Sequence, residues 1–280
     1  MSGIILEGGT FRPIFSAGVM DALLEEDVMF PYCIGVSAGI SFGVSYISKQ
    51  KGRNLEVLLK CRKDKRYIST RNLIKCRSLF GLDFVYDEVP NKLFPFDWDT
   101  FLKYEGKVLV GVTNAKTGKA EYLNALETDR KCTILQATCA MPLFFPAINW
   151  KENLYYDGGL ADSIPIHKSI DDGNQKNLII LTRPKGYHRT LGRDSKLAMR
   201  LLRNKYPEMV EVIRKRPDMY NKTVEYCEKL EREGKAIILR PEYNVESMEK
   251  DLTALERNYK HGYDMAKSQM NEIKKLLVED

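Results

Sequence analysis

Gly35, Ser37 and Gly39 form the G-x-S-x-G pattern that places a serine nucleophile on a sharp turn between a strand and a helix. An apolar stretch at residues 32–34 precedes the pattern and a longer apolar run at residues 40–47 follows it, as a buried strand and a packed helix require. Glycines are needed at both ends because side chains there would collide across the turn. The pattern therefore predicts that Ser37 attacks a carbonyl group from the carboxyl edge of a sheet.

The pentapeptide alone leaves a second role open for Ser37. At average composition, a chain of this length contains such a pattern by chance roughly 0.1 times. A serine at the start of a helix can also accept a hydrogen bond from a free N–H group of the first turn. Two further stretches of the chain favour the nucleophile.

A glycine-rich loop lies between a strand predicted at residues 4–7 and a helix predicted at residues 14–26. The backbone N–H groups of Gly8, Gly9 and Thr10 point outward at a helix start, where they can stabilise an oxyanion. This turn and the serine turn follow successive strands, so both lie at one edge of an open parallel sheet. The loop is therefore predicted to be the oxyanion hole for the serine.

Asp157 is the predicted base. It follows the strand-like residues 154–156 and precedes Gly158 and Gly159, so its carboxylate lies at a tight turn. An aspartate is a weak base at its reference pKa of about 3.9, so it has to lie against the serine hydroxyl to accept its proton. The oxyanion hole would then supply much of the barrier reduction, about 3 kcal/mol for each donor.

The three histidines of the chain offer a conventional triad as an alternative. The order Ser37, Asp157 and then His167, His188 or His261 is that of an α/β-hydrolase triad. His167 stands at a predicted helix start and His261 in a charged helix, and none of the three has a distinctive loop context. Each is interpreted as a surface or packing residue, and the triad stays open as a second mechanism.

Three stretches of the chain, in register, resemble patatin-like phospholipases. They are residues 8–12, the pentapeptide around Ser37 and the turn at Asp157, and the proline-broken stretch at residues 140–146 is also similar. The resemblance covers roughly residues 4–172, and the part that follows looks like bacterial members of the family. It implies a serine–aspartate dyad that hydrolyses lipid esters without metal, cofactor or histidine, with the glycine-rich loop as the oxyanion hole.

The glycine-rich loop departs from the family pattern at two positions. Thr10 and Pro13 stand where the family has glycines; the threonine Cβ opposes a positive φ, and the proline has no N–H to donate. A narrower or differently aimed oxyanion hole is therefore predicted. Arg12, which lies between them, is predicted to orient a substrate phosphate or to stabilise the loop.

Strands alternate with helices along the chain, which predicts an α/β fold with three α/β/α layers and a mostly parallel central sheet. We expect a patatin-like domain over residues 4–172 and an α/β extension over residues 173–280 that completes the same sheet. Buried strands of the extension are predicted at residues 178–182 and 236–239. Its helices are predicted at residues 195–204, 208–229 with a partial break near Pro217, and 245–280.

The composition is that of an ordinary soluble protein, with 44% hydrophobic and 29% charged residues. The chain does not begin like a signal peptide, and no apolar run is long enough to span a membrane. Scattered cysteines without a CxxC motif predict reduced, mostly buried thiols and a cytoplasmic location. The cysteines are Cys33, Cys61, Cys76, Cys132, Cys139 and Cys227.

The net charge is +6, and part of the excess lies between Lys60 and Arg77. We interpret this stretch as a solvated face, with transient contact with an anionic membrane surface as the alternative. No nucleic-acid-binding motif accompanies it, so that class of partner is set aside. Residues 67–99 are irregular and aromatic, and they are predicted to form either a lid over an apolar substrate or ordinary core.

The sequence thus favours a serine acyl hydrolase that cleaves lipid esters through an acyl-enzyme intermediate. The altered glycine-rich loop keeps open a non-catalytic lipid-binding or regulatory module on the same fold. Such a module would bind lipid equally well after the substitution Ser37→Ala and would hydrolyse nothing.

Overall fold

The computed structural model describes residues 1–278 and contains one eight-stranded sheet. Its strands are β1 (Ser2–Leu6), β2 (Tyr32–Val36), β3 (Lys107–Asn114), β4 (Ala120–Asn124), β5 (Ile148–Trp150), β6 (Asn153–Asp157), β7 (Lys176–Ile180) and β8 (Ala236–Leu239). They lie in the order β5-β6-β3-β2-β1-β7-β8, and β4 pairs with β3 off this path. The neighbouring strands β3, β2, β1, β7 and β8 pair in parallel. Strands β4 and β6 pair antiparallel with β3, and β5 pairs antiparallel with β6. The predicted mostly parallel sheet is confirmed.

Eleven α-helices and one π-helix surround the sheet in the described residues. The α-helices are α1 (Ile14–Glu25), α2 (Ser37–Ile47), α3 (Arg53–Cys61), α4 (Thr70–Cys76), α5 (Trp98–Leu102), α6 (Thr133–Cys139), α7 (Ile166–Asp171), α8 (Arg193–Leu202), α9 (Pro207–Arg232), α10 (Leu252–Ser268) and α11 (Met270–Lys275). The π-helix spans Phe84–Leu93.

Residues that alternate along the parallel strands pack in two separate hydrophobic cores. Ile4 and Leu6 of β1 belong to the core with α1 and α2, whereas Ile5 between them belongs to the core with α7 and α9. A sheet needs this arrangement when helices cover both of its faces, because successive side chains point to opposite sides. The predicted three-layer α/β/α fold is therefore confirmed.

The part of the chain after residue 172 contributes to the same sheet and the same core. Strand β7 pairs directly with β1, and β8 pairs with β7. Helix α10 packs closely on α1, because a Cβ at Gly18 would overlap the carbonyl oxygen of Tyr259 and one at Gly262 would overlap that of Phe15. The division of the chain at residue 172 stays a prediction.

Helix α9 is continuous, so the predicted break near Pro217 is wrong. A proline inside a helix costs about 3 kcal/mol because it removes one hydrogen bond and crowds the preceding turn. The helix compensates by burying one face against the sheet, and the residues of that face recur at intervals of three, four or seven residues. Its buried residues are Met209, Ile213, Tyr220, Thr223, Cys227 and Leu230.

The single helix predicted at residues 245–280 is also wrong. The chain instead forms α10 and α11, which are separated at Gln269, and residues 279–280 lie outside the described residues. Helix α10 begins only at Leu252, because the side chain of Asp251 accepts a hydrogen bond from the Thr253 N–H and caps the first turn.

The predicted reduced thiols agree with the structure wherever it describes them. Cys33, Cys61, Cys132 and Cys227 are buried and free, and Cys139 is half-buried and free. The side chain of Cys76 lies outside the described residues. Within residues 1–278, no helix has the length and apolar character that would carry it across a membrane.

Candidate active site

Ser37 directly follows β2 and is the first residue of α2. Its backbone has φ = +53°, a left-handed conformation that non-glycine residues adopt only at an energetic cost. The residue at the cap position is Val36, and no side chain caps this helix start. The helix-cap role for the serine is therefore not supported, and the strained turn presents the Ser37 hydroxyl instead.

A buried threonine holds this turn. The backbone N–H of Ser37 donates a 2.7 Å hydrogen bond to Oγ1 of Thr138, a fully buried residue of α6. The Thr138 hydroxyl in turn donates a 2.5 Å hydrogen bond to the carbonyl oxygen of Gly111 in β3. Sequence reasoning missed this residue, because no local pattern links a threonine to a serine so far away along the chain.

Asp157 ends β6 and is 2% exposed. Its Oδ1 accepts a 2.8 Å hydrogen bond from the N–H of Gly159. Burial raises the pKa of Asp157, while a hydrogen bond from the Ser37 hydroxyl and the charge of Arg216 act in the opposite direction. The structure thus brings the predicted nucleophile and base together, and burial makes this carboxylate a stronger base than an exposed aspartate.

The glycine-rich loop lies directly against the serine. A Cβ added at Gly8 would come within 2.7 Å of the Ser37 Cβ, so no larger residue fits there. The backbone N–H groups of Gly8, Gly9 and Thr10 donate no hydrogen bond to any group in residues 1–278. These three donors are therefore free to bind an oxyanion next to Ser37.

Thr10 occupies the left-handed region with φ = +59°, where a β-branched residue is a true outlier. The loop therefore does not adopt another conformation that would spare the threonine a positive φ. The chain keeps the positive φ and carries the strain of the threonine Cβ.

Arg12 lies beneath the loop and is 7% exposed. Its Nε donates a 3.3 Å hydrogen bond to Oγ1 of Thr182, and a Cβ at Gly9 would lie 2.7 Å from its Nη2. Burial lowers the pKa of Arg12 to about 10, and the charge of Glu7 partly offsets this. These contacts support the loop-stabilising alternative for Arg12, which does not line the cavity described below.

Arg216 and Arg189, from the second half of the chain, carry charges that lower the pKa of Asp157, and the sequence analysis missed both. Arg216 of α9 donates a 2.6 Å hydrogen bond from Nε to the carbonyl oxygen of Gly159. Burial lowers its pKa to about 10, and the charge of Arg189 acts in the same direction. The available signal was the position of Arg216 on the buried face of α9, where an unpaired charge is costly.

The four turn glycines are closely packed or bonded, although the closest contacts of Gly35 and Gly39 are with β1 and the residue after it rather than across the turn. A Cβ at Gly35 would come within 2.8 Å of Leu6, and one at Gly39 or Gly158 would overlap a carbonyl oxygen of a neighbouring strand or loop. Gly159 has more space around it, and its N–H binds the predicted base.

An apolar cavity of about 400 Å³ opens beside Ser37. Residues 67–99 supply a large part of its wall, and the same aromatic side chains are buried in the core. This segment therefore both covers the cavity and forms core, while a lid motion stays a prediction. Its cavity-lining residues include Tyr67, Phe80, Val85, Tyr86, Phe96 and Trp98.

The three histidines lie elsewhere in the structure. His167 stacks on a tyrosine ring, His188 contacts an asparagine amide, and His261 packs between two aromatic rings. In the described part of the chain, none of them lines the cavity or acts on the pKa of Asp157. The geometry therefore does not support a triad with Ser37.

Residues 1–278 contain no group of three or more histidine, cysteine, aspartate or glutamate side chains that could hold a metal ion.

Comparison with known proteins gives two family matches. The sequence model described as Patatin-like phospholipase matches residues 4–170, which contain Ser37, Asp157 and the glycine-rich loop. The model described as Domain of unknown function (DUF6363) matches residues 206–278, which contain the whole of α9 and the two helices that follow it, α10 and α11.

Individual proteins are similar to this chain at low identity. Uncharacterized protein YjjU of Escherichia coli (strain K12) is 22% identical over 292 residues, which cover 99% of this chain and 79% of that protein. Probable lipid hydrolase 463L of Invertebrate iridescent virus 6 is 25% identical over 194 residues, which cover 62% and 65%. The crystal structure of VipD from Legionella pneumophila aligns with 98% of this chain and 67% of its own, with a TM-score of 0.46 and 15% identity.

Proposed function

We propose that this chain, which belongs to the patatin-like phospholipase family, hydrolyses carboxylic esters of lipids through an acyl-enzyme formed on Ser37. The family suggests lipid hydrolase activity. The mechanism rests on one observation: Ser37 lies between a buried carboxylate and a loop of free N–H groups, and it lines an apolar cavity.

In the first half of the reaction, Ser37 Oγ attacks the ester carbonyl carbon while Asp157 accepts the hydroxyl proton. The raised pKa of Asp157 favours this transfer, because it brings the carboxylate closer to the basicity that a general base needs. The negative charge that develops on the carbonyl oxygen is bound by the free N–H groups of Gly8, Gly9 and Thr10. The proton on Asp157 then passes to the leaving alcohol.

In the second half, water attacks the acyl carbon of the ester on Ser37, and Asp157 accepts a proton from that water. The same N–H groups bind the second oxyanion. Collapse of this intermediate releases the fatty acid and returns a proton to Ser37 Oγ. The acyl chain occupies the apolar cavity throughout, because the cavity begins at the serine.

Covalent labelling with a fluorophosphonate probe, read by intact mass, tests this proposal. We expect one adduct on the wild-type chain, none on Ser37→Ala and a strongly reduced rate on Asp157→Asn. Lipid binding without any adduct or turnover in the wild type would instead favour the non-catalytic module.

We propose further that α4 contacts an anionic lipid surface during catalysis. Ile74 is 86% exposed and Leu73 is 39% exposed, so two adjacent apolar side chains of α4 face the solvent. The cations Arg71, Lys75 and Arg77 are exposed next to them. Apolar residues flanked by cations are the chemistry that binds such a surface. The free thiols described above support a cytoplasmic location.

A further inference from the structure

Arg53 lies at the wall of the apolar cavity that Ser37 also lines. It is the first residue of α3, and its Nη2 donates a 2.9 Å hydrogen bond to the carbonyl oxygen of Phe94. Its Nη1 donates a longer hydrogen bond of 3.3 Å to Oγ of Ser45, and the guanidinium lies 5.3 Å from the centre of the Phe96 ring. A cationic group therefore forms part of a mostly apolar cavity, whose lining also includes Asn54 and Asp194.

This arginine lacks an anionic partner. In residues 1–278, no carboxylate lies within 4.0 Å of it, and Glu56, the carboxylate that acts on its pKa, is exposed on the same helix. Burial lowers the pKa of Arg53. Its Nε is buried without a hydrogen-bond partner, and so is Oγ1 of Thr128. Both residues line the cavity, and an unpaired buried cation is costly until an anion joins it.

The length of α2 gives the distance between Ser37 and Arg53. Ser37 begins this helix, and Ser45, whose hydroxyl accepts the hydrogen bond from Arg53, lies eight residues later. At 1.5 Å per residue, this separation is about 12 Å along the helix axis. Residues of α2 between them, among them Ser41 and Val44, also line the cavity. The cavity thus runs along α2 from the serine towards the arginine.

A carbon chain of definite length fits this distance. An extended chain advances about 1.2 Å per bond, as an extended polypeptide does with three bonds per residue. About ten bonds therefore join the acyl carbon at Ser37 to a group that contacts Arg53. The cavity of about 400 Å³ lies in the range of ordinary small-ligand sites.

We infer that the cavity binds an acyl chain of about eight to ten carbons that ends in a carboxylate, held by Arg53 and Thr128. This inference rests on the proposed function, because the ester carbonyl of the same chain is placed at Ser37. The carboxylate supplies the missing counter-ion for the guanidinium and accepts hydrogen bonds from Nε and from the Thr128 hydroxyl. A plain alkyl end would leave both of these buried groups unpaired.

Two p-nitrophenyl esters that differ only at the far end of the acyl chain test the inference. One is p-nitrophenyl nonanoate, and the other is the mono-p-nitrophenyl ester of nonanedioic acid, which carries the terminal carboxylate. We expect the wild type to prefer the second by at least about tenfold in kcat/KM, as one charge-assisted interaction predicts. A series from seven to twelve carbons should show the preference peaking at eight to ten.

Variants at the far end of the cavity assign the preference to residues. Arg53→Met should remove the preference, mainly by raising KM for the acidic ester, while hydrolysis of the nonanoate ester persists. Arg53→Lys should keep part of the preference, and Thr128→Val should reduce it a fewfold. Arg232→Met, at an exposed arginine in the last turn of α9, is the matched control and should change nothing.

Binding measurements separate this inference from the proposed mechanism. Calorimetry of methyl nonanoate and of the monomethyl ester of nonanedioic acid with Ser37→Ala requires no turnover, so it holds even if the chain hydrolyses neither p-nitrophenyl ester. Equal affinity for the two methyl esters, or a wild type that prefers the nonanoate ester, would overturn the inference. Arg53→Met could fail to fold, because the hydrogen bonds from Arg53 to Phe94 and Ser45 are lost. In that case the preference of the wild type for the acidic ester, and the reduction of this preference in Thr128→Val, test the inference.

Discussion

The backbone N–H of Ser37 and the hydroxyl of Thr138 form a 2.7 Å hydrogen bond that ties the serine turn to α6. The same hydroxyl donates to the carbonyl oxygen of Gly111, so one side chain links the turn to β3 as well. The left-handed backbone of Ser37 costs about 1–2 kcal/mol, so surrounding contacts have to maintain it. We therefore expect Thr138 to position the proposed nucleophile, although its side chain does not line the cavity.

Replacing this threonine by valine should disturb the turn without changing the volume of the core. Thr138→Val removes the acceptor of the Ser37 N–H and the hydroxyl that donates to the Gly111 carbonyl oxygen, so we expect the free energy of unfolding to fall by about 1–3 kcal/mol. The rate of fluorophosphonate labelling at Ser37 should fall with it. Urea unfolding and intact-mass kinetics measure the two effects. Thr138→Ser keeps the hydroxyl and should label like the wild type; equal labelling of the valine variant would refute the positioning role.

Asp157 should reduce stability at neutral pH while it supports catalysis. Burial raises its pKa in the folded state, so the folded chain binds this proton more tightly than the unfolded chain does. Its contribution to stability is fully present below the unfolded pKa of about 3.9 and is lost as the pH rises through the raised folded pKa. We therefore expect Asp157→Asn to unfold at higher urea concentration than the wild type at pH 7.

The comparison at low pH is the control for Asp157→Asn. As the pH is lowered towards 4, a larger fraction of the buried carboxyl is protonated in the fold, so the difference in stability should shrink. The variant should also react slowly with the fluorophosphonate at pH 7, although it is well folded. A less stable Asp157→Asn at pH 7 would contradict the assignment of a destabilising buried charge.

Arg216 should set the pH below which activity is lost. Its charge lowers the pKa of Asp157, so Arg216→Gln should raise that pKa and move the acid limb of the pH–rate profile to higher pH. Hydrolysis of a soluble p-nitrophenyl ester from pH 4 to pH 9 measures the limb through kcat/KM. Arg216→Lys keeps the charge and should shift the limb less. Identical limbs in all three proteins would mean that Arg216 acts only through its hydrogen bond to Gly159.

The parallel strands and the serine turn were predictable because their signals are local. Apolar runs of four or five residues separated by turn glycines mark β1 and β2, and the glycines around Ser37 mark the elbow. The topology of a parallel sheet then brings the ends of both strands to one edge. The pairing of Ser37 with Asp157 had a weaker basis, because it rested on the turn at Asp157 and on the resemblance to a family.

Contacts between distant parts of the chain were not predictable. Thr138 and Arg216 reach the site from α6 and α9, and their neighbours in sequence carry no motif. The intact helix around Pro217 is the opposite case. The proline is a strong local signal that predicted a break, but the burial of one helix face outweighs it. Residues 154–156 of β6 were predicted as strand-like, but β5, which pairs with β6 in the hairpin that ends at Asp157, was missed because it is short and partly exposed.

The strain at Thr10 should be relieved by the residue that the family has there. In Thr10→Gly, the left-handed cost of about 1–2 kcal/mol disappears, while the greater freedom of glycine in the unfolded chain returns about 0.5–1 kcal/mol. We expect the free energy of unfolding to rise by up to about 1 kcal/mol and the labelling of Ser37 to persist. Thr10→Ala keeps a Cβ and is the control in urea unfolding. A glycine variant that is less stable than the alanine variant would contradict the assigned strain, and a wild type more stable than both would show that the Thr10 side chain makes a compensating contact.

Membrane contact through α4 should depend on Ile74, whose side chain is 86% exposed. Ile74→Glu replaces an apolar group by a charge that an anionic surface repels, so we expect at least about tenfold weaker sedimentation with phosphatidylglycerol vesicles. Hydrolysis of a soluble ester should not change, because Ile74 does not line the cavity. The matched control is Leu102→Glu on α5, where the leucine is 48% exposed. Equal loss of binding in both variants would indicate a general effect of charge, whereas loss in Ile74→Glu alone would assign the surface to α4.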